Sequence, residues 1–497
     1  MYQFRRWLLV VPCALALTWT APASDKESLT KDRVSETKHT IKVGKTALEY
    51  TATAGTLQLK EEDGKPLAGI FFVAYTKNGV LDLAKRPITF TFNGGPGSSS
   101  VWLHMGAFAP KKVQLDDDGN TLPPPYKLVD NEYHLLDFTD LVFIDPVTTG
   151  YSRPAPDVPN SKFHGVQQDI ESVGEFIRLY TTRYKRWQSP KFLAGESYGG
   201  TRAAGLSYFL QHRHNYFLNG VVLVSPALNF QTIRFDEGND LPFALFLPTY
   251  TASAWYHKKL STDLQSDLRK TLAEAEAFAQ GEYTTALMKG DKLPADQKKQ
   301  FAAKIARLTG LSEKYVLQTN LRVSIQRFCR ELMREERKTI GRFDSRFTGF
   351  AKDAAGETPD FDASAPIHDG PFAATINHYL RNDLKYETDL TYEILTGRVQ
   401  PWDFGSVKNR YLNVAPDLRK AMTQNADLQV FVANGYYDLA TPYCATDYSI
   451  DHLSLEPAFM KNVTTRYYEA GHMMYVHKMS HKQLHKDLRA FYQKAAK

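Results

Sequence analysis

The chain has 497 residues, 43% of them apolar, and a formal net charge of +6 at pH 7. That length holds one large domain with an insertion or two ordinary ones, and the composition calls for a sizeable core in place of disorder. So dilute a charge, with no basic stripe interleaved with aromatics, leaves no nucleic-acid partner to expect. At the N-terminus, Arg5 and Arg6 precede the apolar run Trp7 to Trp19, and Ala21-Pro22-Ala23 supplies small residues before Ser24. This reads as an export signal over 1–23, too short to span a bilayer. It predicts a periplasmic or extracellular protein with no membrane partner once the signal is removed. Cleavage there leaves Cys329 and Cys444. Whether they pair stays open, because bridging depends on a geometry that sequence does not reveal. No cysteine has metal-site spacing.

After a polar tail, Ser24 to Lys38, the stretch His39 to Lys77 alternates apolar and polar residues and contains Asp63-Gly64. It predicts an antiparallel meander with a hairpin turn at that pair. From Pro87 the pattern changes to short apolar runs: 88–92, 141–144, 191–194 and 221–224. Such runs suit strands buried on both faces of a parallel sheet. Val166, Ile170, Val173, Phe176, Ile177 and Tyr180 form one apolar helical stripe between two of them, which makes a βαβ unit.

Between about 229 and 416 the sheet signature gives way to helical spacing. Leu264, Leu268 and Leu272 begin one helix behind Ser261; Phe301, Ile305 and Leu308 mark another, ended by Gly310; Val323 to Leu332 fits a third. The Gly/Asp/Pro-rich stretch Gly341 to Pro366 reads as loop. Sheet runs return at 428–432 and 463–468, and a last amphipathic helix carries Leu484, Leu488, Phe491 and Tyr492. The expected organisation is an α/β core over 24–228 and 417–497, with a largely helical cap inserted at 229–416.

The first chemical motif is Gly195-Glu196-Ser197-Tyr198-Gly199, directly after a buried strand. A serine at a strained strand-to-helix corner lifts its hydroxyl above the sheet, and the helix N-terminus below favours negative charge developing in acyl transfer. Ser197 is the expected nucleophile. A turn of this kind predicts partners in the order serine, acid, histidine, and Asp438 and His472 each follow a later strand. His472 would take the serine proton and pass it to the leaving group, while Asp438 would fix the imidazole tautomer. The second motif is Asn93-Gly94-Gly95-Pro96-Gly97-Ser98-Ser99-Ser100. Its glycines bring backbone N–H groups to a substrate without steric cost, which suits an oxyanion hole shared with Tyr198. A phosphate-cradling loop would need a following Gly-Lys-Ser/Thr, which is missing.

In order and spacing these motifs, with Asp145-Pro-Val-Thr-Thr-Gly150-Tyr-Ser152 between them, the chain's Asn-Gly-Tyr-Tyr-Asp438 and its Ala-Gly-His472, resemble the serine carboxypeptidase family. The resemblance covers roughly 85–230 and 420–480. It implies an α/β-hydrolase fold with a central, mostly parallel sheet, N-terminal antiparallel strands and an inserted, largely helical cap. It further implies a triad of Ser197, Asp438 and His472, an oxyanion hole at Gly95 and Tyr198, and a peptide substrate whose terminal carboxylate meets Asn93 and Glu196, with no cofactor and no metal. Glu196 would need its proton to accept that carboxylate, because two close carboxyl groups do not ionise together cheaply. Activity should therefore favour acidic pH. Three positions depart from the family: Ser98 replaces a frequent half-cystine, Phe92 a usual tryptophan, and Ala107 a second glutamate of the carboxylate network. Esterase or acyltransferase activity on the same triad is the first alternative, and a non-catalytic binding protein on a hydrolase scaffold the second. His477, His481 and His485 recur every four residues and read as the polar face of the last helix in preference to a metal site.

Overall fold

The computed structural model describes residues 30–496 apart from Lys45 and Lys408, so the export signal lies outside the described residues. Nine strands carry the central sheet: β1 (Arg33–Val43), β2 (Thr46–Lys60), β3 (Pro66–Lys77), β4 (Ile88–Phe92), β5 (Asp140–Ile144), β6 (Lys191–Glu196), β7 (Gly220–Val224), β8 (Gln429–Gly435) and β9 (Val463–Tyr468). Their order across it is β1-β2-β3-β5-β4-β6-β7-β8-β9, with the two-residue strand Arg153–Pro154 beside β3. Pairing is antiparallel from β1 to β5 and parallel from β5 onward. The predicted meander is present, and Gly64 N–H closes its turn on Glu61 O at 2.9 Å. It begins earlier than expected. Arg33 to Lys38, read above as tail, pairs with Thr56 to Thr51. Its alternating exposure marks a polar edge strand, which hides its pairing behind charged side chains.

The continuous apolar runs follow from packing on both faces. Along β5, Leu141 and Phe143 join one cluster while Val142 and Ile144 join the other; β7 and β8 alternate in the same way. Helices α1 (Val166–Arg183) and α2 (Tyr198–His214) cover one face together with the later helix at Ala415–Gln424. The other face is covered by Ala365–Asn382 and by the C-terminal helix Lys478–Ala495. The inserted stretch is therefore mixed. Its helices Leu241–Tyr256, Leu268–Phe278 and Ala295–Thr309 form an apolar cluster of their own, in which Tyr250 stacks on Phe328 at 4.0 Å. Its helix at 365–382 packs directly on the sheet instead, as does the helix at 415–424, most of which lies in the second part of the core.

Two expectations need correcting here. The helix behind Ser261 is broken in two, Thr262–Gln265 and Leu268–Phe278, because the Asp267 carboxylate caps the second by accepting from Lys270 N–H at 3.1 Å. The loop expected over 341–366 contains Thr348–Phe350, which pairs with Lys338–Ile340 as a short hairpin. Cys329 and Cys444 are both free and buried, each in a different apolar cluster, and burial pushes both thiols up.

Candidate active site

Ser197 occupies the junction between β6 and α2 with φ 61° and ψ −125°, a conformation that costs a non-glycine residue about 1–3 kcal/mol. The corner is held on both sides. Ser197 N–H donates to Val224 O of the neighbouring strand at 3.0 Å, and Ser197 O accepts from Gly200 and Ala227 N–H at 2.9 and 3.1 Å. A Cβ on Gly199 would lie 2.7 Å from Phe92 O, so only glycine lets α2 start this close to β4.

Asp438 and His472 lie beyond the ends of β8 and β9. Asp438 is fully buried, and its Oδ1 accepts from Ala440 and Thr441 N–H at 2.8 and 3.0 Å. Its Oδ2 lies 2.8 Å from His472 Nδ1. A carboxylate only accepts, so Nδ1 carries the proton and the neutral ring keeps its lone pair on Nε2. Burial works against a charged His472, but the charge and hydrogen bond of Asp438, with Glu196 adding to them, outweigh it and raise the imidazole pKa.

Ser197 and His472 line one cavity of about 460 Å³, together with Asn93, Gly94, Gly95, Glu196 and Tyr198. All the residues expected in the triad, the oxyanion hole and the carboxylate site except Asp438 thus share its wall, and Asp438 sits behind His472. The Gly-rich loop rests on the start of α2, so closely that a Cβ on Gly94 would collide with Tyr198 N. Tyr198 is the first residue of α2, and its N–H has no partner four residues back within the helix. Behind the loop, Asn93 O accepts from Arg202 Nη1 at 2.6 Å, and Arg202 is paired with buried Asp169 at 2.7 Å. The motif from Asp145 to Ser152 supports the same loop: Asp145 Oδ1 accepts from Ser100 N–H at 2.8 Å.

Glu196 is buried, and desolvation pushes its carboxyl up to about 7. His472, Tyr475 and Asn93 oppose that rise, and Asp438 adds to it. Tyr475 O–H donates to Glu196 Oε2 at 2.6 Å, while Asn93 Oδ1 accepts from Leu103 N–H at 3.0 Å, which turns its amide N–H₂ away from the backbone. Of the departures, Ser98 Oγ donates to Ser99 O and accepts from Trp102 Nε1; Phe92 lies under the Arg202 guanidinium. Ala107 is buried, and its carbonyl accepts from Asn131 Nδ2.

Four supporting residues belong to none of the sequence motifs. Thr441 Oγ1 is 2.7 Å from Asp438 Oδ2 and 3.1 Å from His472 Nδ1; its place three residues after the acid is the only local clue. Tyr475, three residues after the histidine, had a similar clue. Phe343 and Asp344 had none: Phe343 O accepts from His472 N–H at 2.6 Å, and Asp344 Oδ2 from Gly471 N–H at 3.1 Å, both from the inserted stretch. The reading of the three helix histidines is corrected. His481 faces inward, 1% exposed, against Ala107 O at 2.9 Å, whereas His477 meets Ser480 and His485 packs on Tyr133 and Phe138. They do not converge, and among the described residues no cluster of metal-ligating side chains is found.

A family model, serine carboxypeptidase, matches residues 44–486. The chain belongs to the serine carboxypeptidase family. Curated members align over shorter stretches. Serine carboxypeptidase-like 36 of Arabidopsis thaliana is 28% identical over 185 residues, 36% of this chain and 36% of that relative. A carboxypeptidase Y homolog of Arthroderma benhamiae is 28% identical over 157 residues, 31% of this chain and 29% of the relative. Among solved structures, a prohormone-processing carboxypeptidase from Saccharomyces cerevisiae superposes with a TM-score of 0.57 at 17% identity, covering 89% of this chain and 91% of that one. That likeness shows the fold, an α/β-hydrolase sheet. Among the described residues no helix is long and apolar enough to cross a membrane.

Proposed function

We propose that this serine carboxypeptidase family member is an active, secreted serine-type carboxypeptidase that releases C-terminal residues from peptides. Ser197 Oγ attacks the last peptide carbonyl as His472 Nε2 takes its proton. The tetrahedral oxyanion rests on the N–H groups of Gly95 and Tyr198, the imidazolium is stabilised by Asp438, and His472 returns the proton to the departing amine. Water then attacks the acyl-enzyme by the same route in reverse.

One observation carries the specificity: a buried carboxyl, Glu196, adjoins the strained serine in a cavity shared with Asn93. Below about 7 it holds a proton to donate to a peptide's terminal carboxylate, and above that it becomes an anion facing an anion. KM for free-acid peptides should therefore rise as pH climbs through 7. The histidine limb runs the other way, since a protonated His472 is no base. Glu196 is itself one of the groups raising the His472 pKa, so protonating Glu196 lets His472 stay neutral to lower pH. Both effects favour mildly acidic conditions.

The test is mass spectrometry of products from a peptide library offered as free acids and as C-terminal amides, with Ser197→Ala as control. Stepwise loss of single C-terminal residues, much faster from the free acids than from the amides, supports the reading. Internal cleavage, or hydrolysis confined to ester substrates, contradicts it.

A further inference from the structure

Glu196 leaves open how a buried carboxyl is held so that its proton faces a substrate. Ala107, where the family resemblance implies a second acid, carries none. The partner comes instead from the histidine loop. Tyr475 is buried, and its O–H reaches Glu196 Oε2 at 2.6 Å, with Asn93 hydrogen-bonding to both side chains. Space for the phenol ring is made by Gly106, beside Ala107, where a Cβ would lie 2.7 Å from Tyr475 Cε2.

We infer that Tyr475 is the positioning residue of the terminal-carboxylate site, its phenol engaging Glu196 Oε2 so that the acid proton on Oε1 is offered to a peptide's C-terminus. This rests on the carboxypeptidase reading of Glu196 and deepens it. A phenol differs from a second acid in its titration: burial beside Glu196 pushes Tyr475 well above the ordinary phenol range, so it keeps its proton wherever peptides are cleaved. Only one group in the pair then titrates. The other ionisable groups acting on Glu196 are His472 on the same loop and Asp438 behind it, and both stay in place when Tyr475 is changed.

A donor to an ionised carboxylate stabilises the anion, so its removal should raise the Glu196 pKa. In Tyr475→Phe the midpoint of the KM rise for an N-blocked free-acid dipeptide should move up by about one pH unit, the size of one lost hydrogen bond to a charged group. KM at pH 5 should worsen several-fold, with KM for the matching dipeptide amide and the rate of fluorophosphonate labelling at Ser197 unchanged. Gly106→Ala, which crowds the same ring, should move the midpoint in the same direction. In a Glu196→Gln background Tyr475→Phe should move nothing. An unmoved or lowered midpoint, with free-acid preference intact, overturns the role of Tyr475 alone. Equal KM changes on acid and amide at every pH do the same, since they mark a merely structural part. A wild-type enzyme whose KM ignores the terminal carboxylate overturns this inference and the reading of Glu196 together.

Discussion

His472 is held from two regions built differently. The carboxyl edge of the sheet holds it through turns at strand ends: Asp438 is tied to Ala440 and Thr441 immediately after β8, and Ser197 is held by Gly200 and by Val224 and Ala227 at the end of neighbouring β7. The inserted stretch holds the same loop across more than a hundred residues, through Phe343 O on His472 N–H and Asp344 on Gly471 N–H. The side chains proposed to do the chemistry thus stand at the sheet's edge, while part of their alignment is delegated to the insertion. Loss at the sheet edge should remove a chemical step, whereas loss in the insertion should misplace a ring that is still present.

Ser197→Ala should give the largest effect, a fall in kcat on the order of 10⁴ to 10⁶-fold with no fluorophosphonate label and an unchanged circular dichroism spectrum. Asp438→Asn comes next, at about 10⁴-fold in kcat, because the amide favours the wrong imidazole tautomer. Asp344→Ala tests the insertion: kcat should fall by about 10 to 100-fold, the cost of a displaced catalytic ring, with labelling of Ser197 slowed but not abolished. It should also cost about 3–5 kcal/mol of stability in denaturant unfolding, since the buried Arg346 guanidinium loses its 2.7 Å partner. If Asp344→Ala abolished labelling outright, the division between chemical and aligning regions would be lost. Thr441→Val should be milder, a few-fold in kcat, because Asp438 keeps its two backbone donors. A reductant should leave the thermal midpoint where it is, because Cys329 and Cys444 are unpaired.

The same contrast explains what was legible in the sequence. Period-two burial on both sheet faces writes itself as short apolar runs, so β4 to β8 could be located, and the Gly-Glu-Ser-Tyr-Gly corner signals its own strain. Local spacing does not record contacts between distant segments. Nothing around Phe343 and Asp344 announces that they brace a histidine loop far along the chain, and the helix at 365–382 carries no mark that it packs on the sheet. Residue type misled at His481: a histidine among lysines looks exposed, yet its ring is buried against Ala107 O. Glu196 lay between the two cases. Its position beside Ser197 was plain, but its burial and its phenol partner belong to the folded protein.

In the proposed function Glu196 reads the peptide C-terminus through its proton. The most direct measurement is KM from pH 5 to 8 for one dipeptide as free acid and as amide, in wild type and in Glu196→Gln. KM for the free acid should rise through pH 7 in wild type, Glu196→Gln should flatten this rise, and the amide should show neither. A free-acid KM that stays flat in wild type, or rises equally in Glu196→Gln, would contradict it.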